Sequence, residues 1–157
     1  MISAFRLPTS EFSYMPYEYL DDIAISDVAF HAWSDSLEGL FVDAADAVVN
    51  TMVEDLGTLR DTAHRPIRLE AESVEMLLFE FLQEFIFYKD AEQELLRPAD
   101  VKISGKDEEY VLYCEARGEK MDPERHNLLV DVKAVTFHRF SVQAIPEGWQ
   151  ATVVLDT

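Results

Sequence analysis

The stretch SVEMLLFEFLQEFIFY, residues 73–88, decides the fold class because it separates two different kinds of sequence pattern. Its apolar residues recur at three- and four-residue spacing, which is typical of an amphipathic helix with one buried face. Ser73 supplies an N-cap side chain at its start. We interpret the apolar stripe as core rather than as a cofactor site; it comprises Val74, Leu77, Leu78, Phe81, Leu82, Phe85 and Tyr88.

The chain before this stretch predicts one more helix and three strands. Asp35 and Ser36 are N-cap candidates, and Glu38 approximates a capping box with Asp35. Helical spacing then predicts a helix that ends near residues 55–57. Alternating or β-prone runs predict short strands near residues 17–20, over 26–34 and over 65–70.

The chain after this stretch returns to alternation of apolar and polar residues, which is typical of strands. Short turns at Gly105 and at Pro146-Glu-Gly148 favour antiparallel neighbours. Strands grouped after two helices predict an α+β domain in which a largely antiparallel or mixed sheet packs against the two main helices. The predicted strands are residues 101–104, 110–116, 130–138, 140–145 and 150–155.

Length and composition fit one globular domain. A chain of 157 residues with 48% hydrophobic residues can bury a sizeable core. Residues 1–16 lack sustained periodicity and predict a mobile N-terminal extension, with the domain over residues 17–157. They also lack the continuous apolar core of a signal peptide, and the single cysteine, Cys114, excludes an intrachain disulfide. We therefore expect a soluble cytoplasmic protein without a membrane segment.

The sequence is strongly acidic. Thirty-one acidic residues against 13 basic ones give a formal net charge of −18, and no Lys or Arg lies between Arg6 and Arg60. Such a field repels phosphate backbones, so direct nucleic-acid binding is not expected. A basic protein, a cation or a cationic ligand is a better match, although general solubility explains the same composition.

Common catalytic motifs are missing from the sequence. The four histidines form no HxH or HExxH pair, no P-loop or GxGxxG occurs, and no glycine pair flanks a serine at GxSxG spacing. What remains is a set of carboxylates, at Asp21, Asp22, Asp27 and Asp156. Oxygen ligands of this kind suit a hard cation such as Ca²⁺ or Mg²⁺, but a solvated acidic surface explains them equally.

An ordered series of motifs resembles the archease family. The first half has Tyr17-Glu-Tyr-Leu-Asp21, Ser36-Leu-Glu-Gly-Leu-Phe41 and Met52-Val-Glu-Asp-Leu56. The second half is more specific, with Gly118-Glu-Lys-Met-Asp122, Arg125-His126, Asp131-Val-Lys-Ala-Val-Thr-Phe-His138, Gly148-Trp149 and Leu155-Asp-Thr157. The resemblance covers residues 17–157.

The resemblance implies a non-catalytic accessory protein. Archeases assist an RtcB-type RNA ligase that joins RNA through a 3′ or 2′,3′-cyclic phosphate, promoting its guanylylation and its repeated turnover. It also implies a divalent metal held by Asp27, Asp156 and a backbone oxygen of Thr157, with Ca²⁺ as the first expectation and Mg²⁺ or Mn²⁺ as alternatives.

One departure from the family pattern affects the expected metal site. Where the family has Asp-His-Thr-Ala-Asp, this chain has Asp22-Ile-Ala-Ile-Ser-Asp27, so the histidine is absent and the segment is longer. Asp22 is the candidate for a substitute or second-sphere oxygen. His126, His138 and Lys133 carry the resemblance as well, and we expect them to be structural or partner-contacting residues rather than catalytic ones.

Three functions remain open on the sequence alone. The first is the metal-bearing activator of an RNA ligase, involved in tRNA splicing or RNA repair. The second is a stand-alone metal-dependent hydrolase in which a histidine transfers protons. The third is a general chaperone or interaction module without a metal role.

Overall fold

The structure, a computed structural model, describes residues 16–21 and 27–157. Within these residues the chain forms two helices and seven strands. In chain order they are β1 (Tyr17–Leu20), β2 (Asp27–Ser34), α1 (Leu37–Met52), β3 (Ala63–Ala71), α2 (Val74–Glu92), β4 (Glu94–Lys106), β5 (Glu109–Lys120), β6 (Ala134–Ile145) and β7 (Gly148–Asp156).

Both helices begin at the predicted serine caps. The Ser36 hydroxyl accepts a hydrogen bond from the backbone N–H of Gly39, and the Ser73 hydroxyl accepts one from Met76. Each bond satisfies a backbone donor that has no partner inside the helix. Helix α2 ends at Gln93, which adopts a left-handed conformation (φ 56°).

Helix α1 ends earlier than the sequence predicts. Val53 is extended and forms a β-bridge with Leu128, so the helix stops at Met52 and a 3₁₀ turn follows over Leu56–Thr58. The side-chain amide of Asn50 donates to the carbonyls of Val53 and Glu54, both at 3.0 Å. A tertiary contact therefore overrides the helical periodicity at this end.

The strands form two antiparallel sheets, where the sequence predicted one. Their orders are β1-β2-β7-β6 and β3-β5-β4. Strand β4 begins before Pro98, not after it as predicted. Proline is tolerated there because β4 is an edge strand, where one row of backbone N–H groups needs no partner.

Both helices lie between the two sheets and contact each of them. Buried side chains from all three layers form one hydrophobic cluster, including Phe30 and Leu155 from the larger sheet, Phe41 and Phe81 from the helices and Leu112 from the smaller sheet. The α+β single-domain prediction is confirmed, with the helices enclosed by sheets on both sides.

The segment before β7 differs from the prediction in two ways. The strand predicted over residues 130–138 begins only at Ala134, because residues 121–133 form a loop. The strand then continues to Ile145 as one element, but its pairing with β7 is interrupted between Thr136 and Ser141. The break that the sequence predicted at Arg139, between two separate strands, lies within this interruption.

Candidate metal centre

Strand pairing brings two of the predicted site residues together. Strands β2 and β7 are antiparallel, and Asp27 is the direct register partner of Asp156. Directly opposed residues project to the same face of a sheet with Cβ atoms about 4.5–5.5 Å apart. Alternation places both carboxylates on the face opposite Phe30 and Leu155, which belong to the hydrophobic cluster.

Lys133 lies at the same end of the sheet. Its backbone N–H donates to the carbonyl oxygen of Asp156 at 2.8 Å, and the next residue, Ala134, is the register partner of Asp156 in β6. The lysine is exposed, while Asp27, Asp156 and Thr157 are half-buried. Four of the residues singled out from the sequence therefore meet at one end of three neighbouring strands.

The oxygen atoms at this end suit a hard cation. Two opposed carboxylates repel each other unless a positive charge lies between them. Within the described ranges, no group of three or more His, Cys, Asp or Glu side chains is arranged to hold a metal. Ca²⁺ accepts backbone and water oxygens besides carboxylates, so two aspartates with Thr157 and solvent fit its coordination. Asp22 lies outside the described residues.

His126 lies elsewhere, in a buried polar cluster. Its Nδ1 accepts a hydrogen bond from the backbone N–H of Asp122 at 2.9 Å, and its Nε2 lies 2.8 Å from Glu119 Oε2. The same oxygen accepts from the backbone N–H of Arg60 at 3.0 Å and from the guanidinium of Arg125. Both ring nitrogens of His126 are thus occupied, which leaves none to transfer a proton to a substrate.

The Glu119 cluster holds the loop that leads to Lys133. Glu119 is the penultimate residue of β5, next to Gly118, where a Cβ atom would lie 1.9 Å from the carbonyl oxygen of Leu95. Arg125 also donates to the carbonyl of Thr58, at 3.3 Å. The cluster therefore joins the start of the 121–133 loop to β5 and to the segment after α1.

Hydrogen bonding determines the charge state of Glu119. Burial acts to raise the pKa of this carboxyl, but the bonds from the Arg60 backbone, Arg125 and His126 outweigh it and lower the pKa from 4.5 to about 2. A folded-state pKa below the unfolded one means that the folded protein binds fewer protons in this range. The stability that Glu119 contributes is fully present above about pH 4.5 and is lost as the pH falls toward 2.

The lowered pKa of Glu119 gives the stability a measurable pH dependence. We expect the difference in the free energy of unfolding between the wild type and Glu119→Gln to stay constant from pH 7 to about pH 5 and to shrink steadily between about pH 4.5 and 2. Urea unfolding at each pH measures it. A difference that stayed unchanged at pH 3 would show that the carboxylate does not carry this stability.

His138 and Cys114 take no part in the carboxylate site. His138 is exposed within the interruption of β6, and its backbone N–H donates to the hydroxyl of Thr136 at 3.2 Å. Cys114 is buried in β5, and burial raises the pKa of its thiol to about 11. A protonated, buried thiol is not a nucleophile, so this cysteine acts as a small core residue.

Comparisons with known proteins identify the family of the chain. The sequence profile of the Archease protein family (MTH1598/TM1083) matches residues 17–157. The chain belongs to the archease family. Protein archease of Pyrococcus abyssi is 34% identical over 132 residues, which cover 83% of this chain and 92% of that protein. The archease of Methanopyrus kandleri is 34% identical over 142 residues, covering 90% and 99%.

Solved structures agree with this archease fold. The solution structure of Methanobacterium thermoautotrophicum protein 1598 is 31% identical, with a TM-score of 0.77, and the match covers 90% of this chain and 99% of that one. A crystal structure from Thermotoga maritima, described as an archease and possible chaperone, is 18% identical with a TM-score of 0.57 and supports the fold alone. None of the helices in the described part of this archease is long and apolar enough to cross a membrane.

The sequence did not predict the Glu119 cluster. Gly118-Glu-Lys-Met-Asp122 and Arg125-His126 were recognised only as motifs of resemblance. Their spacing of six or seven residues carries no periodic signal, because the residues between them form a loop. A buried ion pair with a histidine becomes visible only when the loop conformation is known.

Proposed function

We propose that this archease is an accessory protein that activates an RtcB-type RNA ligase, using a divalent cation held by Asp27 and Asp156. The observation that carries the proposal is the direct pairing of these two aspartates beside Lys133 in a chain of the archease family. The RNA-joining reaction itself belongs to the ligase, and the RNA is processed in tRNA splicing or in RNA repair.

Each residue of the carboxylate site has a separate part in this proposal. Asp27 and Asp156 hold the cation between adjacent strands, and Thr157 adds a backbone oxygen. The cation, probed first as Ca²⁺ and then as Mg²⁺ or Mn²⁺, supplies positive charge that can bind anionic oxygens of the partner's active site. Lys133 is held beside it through its backbone bond to Asp156, and its exposed ammonium adds a second positive charge.

The charge distribution supports a basic protein as partner. The overall formal charge is −18, and helix α1 adds acidic groups near the larger sheet. Complementary fields accelerate encounter between proteins and select the partner, and a ligase that binds RNA presents a basic surface.

The engagement of His126 weighs against the alternative hydrolase function. The residue with the strongest claim to that role, His126, has both ring nitrogens engaged, with Asp122 and Glu119. A hydrolase would also have to act on RNA phosphates against the repulsion of an acidic surface. These observations favour an accessory role over catalysis by the chain itself.

A reconstituted ligation assay tests the proposal. We expect substoichiometric archease, added to its own ligase with GTP, Mn²⁺ or Mg²⁺ and a 3′-phosphate RNA, to convert slow or single-turnover joining into repeated turnover. The archease alone should join nothing and should release no phosphate. Joining by the isolated archease, or an unchanged number of turnovers by its ligase, would contradict the proposal.

A further inference from the structure

An aromatic strip runs along the junction of helix α2 and strand β6. Phe137 is 63% exposed although it lies within a strand, and its ring stacks on Phe79 of α2 with centroids 4.1 Å apart and planes 4° apart. Phe140 meets Phe79 edge-on, with centroids 5.6 Å apart. Phe79 therefore supports Phe137 from beneath and holds it outward.

The strip continues along α2 toward the loop before β6. One turn after Phe79, the side-chain oxygen of Gln83 accepts from the backbone N–H of Val135 at 2.7 Å. About two turns after Phe79 on the same helix is Phe87, 55% exposed. Lys89 then donates to the carbonyl of Val132 at 2.8 Å, which fixes the loop to the helix.

The loop before β6 adds a further exposed apolar residue to the strip. Val130 is 46% exposed and precedes the loop residues bound by Lys89. Three residues after Val130 comes Lys133, whose backbone N–H donates to Asp156. Phe79, Phe87, Val130 and Phe137 are referred to below as the apolar strip, and Val130 belongs to the loop that leads to Lys133.

The backbone around Phe137 is irregular, which is consistent with an exposed aromatic side chain at this position. The pairing of β6 with β7 is interrupted between Thr136 and Ser141, and Arg139 within the interruption has a positive φ of 55°. Such a conformation is unfavourable for a residue with a side chain, and regular pairing would have avoided it. The interruption turns an aromatic side chain outward at the edge of the sheet.

The strip has an acidic border. Viewed down the axis of helix α2 at 100° per residue, Glu80 and Glu84 are rotated about 20° and 60° from Phe87, on the side away from Phe79. Burial, followed by repulsion from Glu80, raises the pKa of Glu84. Asp90 and Asp131 are both paired with Lys89, and the exposed Arg139 lies two residues after Phe137, so the acidic border of the strip is on its helix side.

We propose that the apolar strip is the docking surface for the ligase, and that the ligase contacts it with apolar side chains bordered by Lys and Arg. This inference rests on the function proposed above, because it assigns a second contact to the same partner. Charge complementarity argues for the occupant: an apolar surface within an acidic border excludes an acidic copy of the same chain and favours a basic partner.

The double variant Phe87→Ser/Phe137→Ser separates docking from activation. Both side chains are exposed, so the fold should persist, as circular dichroism can check. We expect the dissociation constant for the ligase to rise roughly tenfold or more, since aromatic side chains dominate protein interfaces. Turnover at saturating archease should return to the wild-type value. The matched control is Tyr113→Ser, 51% exposed on the smaller sheet, which should change neither quantity.

The outcomes distinguish this inference from the proposed function. If wild-type archease activates its ligase and the double variant binds as tightly as the wild type, the docking surface is wrong and the proposed function stands. If wild-type archease has no effect on the ligase, the proposed function itself fails. A wild-type dimer in sedimentation that the double variant dissociates would make a second copy the occupant and overturn the assignment. The assignment would also be overturned if deleting residues 1–15 created a binding site for a hydrophobic dye and Phe137→Ser then removed that site, since the N-terminal segment would be the occupant.

Discussion

Asp27→Ala and Asp156→Ala are each expected to abolish activation of the ligase while leaving the melting temperature of the metal-free protein almost unchanged. The two carboxylates face each other across β2 and β7, so removing one eliminates half of the side-chain ligands and also relieves a repulsion. Neither residue belongs to the hydrophobic cluster, so packing should survive. Titration calorimetry with Ca²⁺ and Mn²⁺ measures the loss of metal affinity, and the ligation assay measures the loss of activation.

A matched variant controls for the removal of one negative charge. Glu147 is exposed in the turn between β6 and β7, at the opposite end of β7 from Asp156. Glu147→Ala should keep both metal affinity and activation. Full activation by both aspartate variants at limiting metal would remove the cation site from the proposed function.

Glu119→Ala is expected to cause a large loss of stability. Removing a carboxylate that accepts three hydrogen bonds leaves the buried His126 and the half-buried Arg125 without their shared partner. Breaking a buried ion pair from one side costs about 3–5 kcal/mol, a large share of the roughly 5–15 kcal/mol that stabilises a typical domain. Urea unfolding at pH 7 gives this difference directly.

Two further variants separate charge from position. Glu119→Gln should lose less than Glu119→Ala because the carboxamide oxygen can still accept from the Arg60 backbone. Lys120→Ala should stay within about 0.5 kcal/mol of the wild type, since the lysine is exposed and only its ammonium bonds to the Glu92 carbonyl. If Lys120→Ala matched Glu119→Ala, the buried cluster would not be the source of the stability.

The local elements were predictable because their signals are local. The serines that cap α1 and α2 and the three- to four-residue spacing of apolar side chains identify both helices without reference to the rest of the chain. The number of sheets was not predictable in this way. Strands of both sheets have the same alternation, and only contacts distant in sequence decide which strands pair.

For the candidate site too, some features could be predicted from the sequence and others could not. Asp27 and Asp156 were selected through resemblance to a family, and alternation correctly placed Asp156 on the face opposite Leu155. That the two aspartates are direct partners follows from the register of β2 against β7, which no local pattern encodes. The break predicted at Arg139 falls within the interruption of β6, but the outward position of Phe137 follows only from the tertiary structure.

Guanylylation of the ligase is the most direct measurement of the central claim. Labelled GTP and the purified ligase, with and without substoichiometric archease, give the rate at which the ligase–GMP adduct forms. We expect a faster rate with the wild type and with Glu147→Ala, and no acceleration with Asp156→Ala. An adduct that forms at the same rate with and without the wild-type archease would contradict that claim.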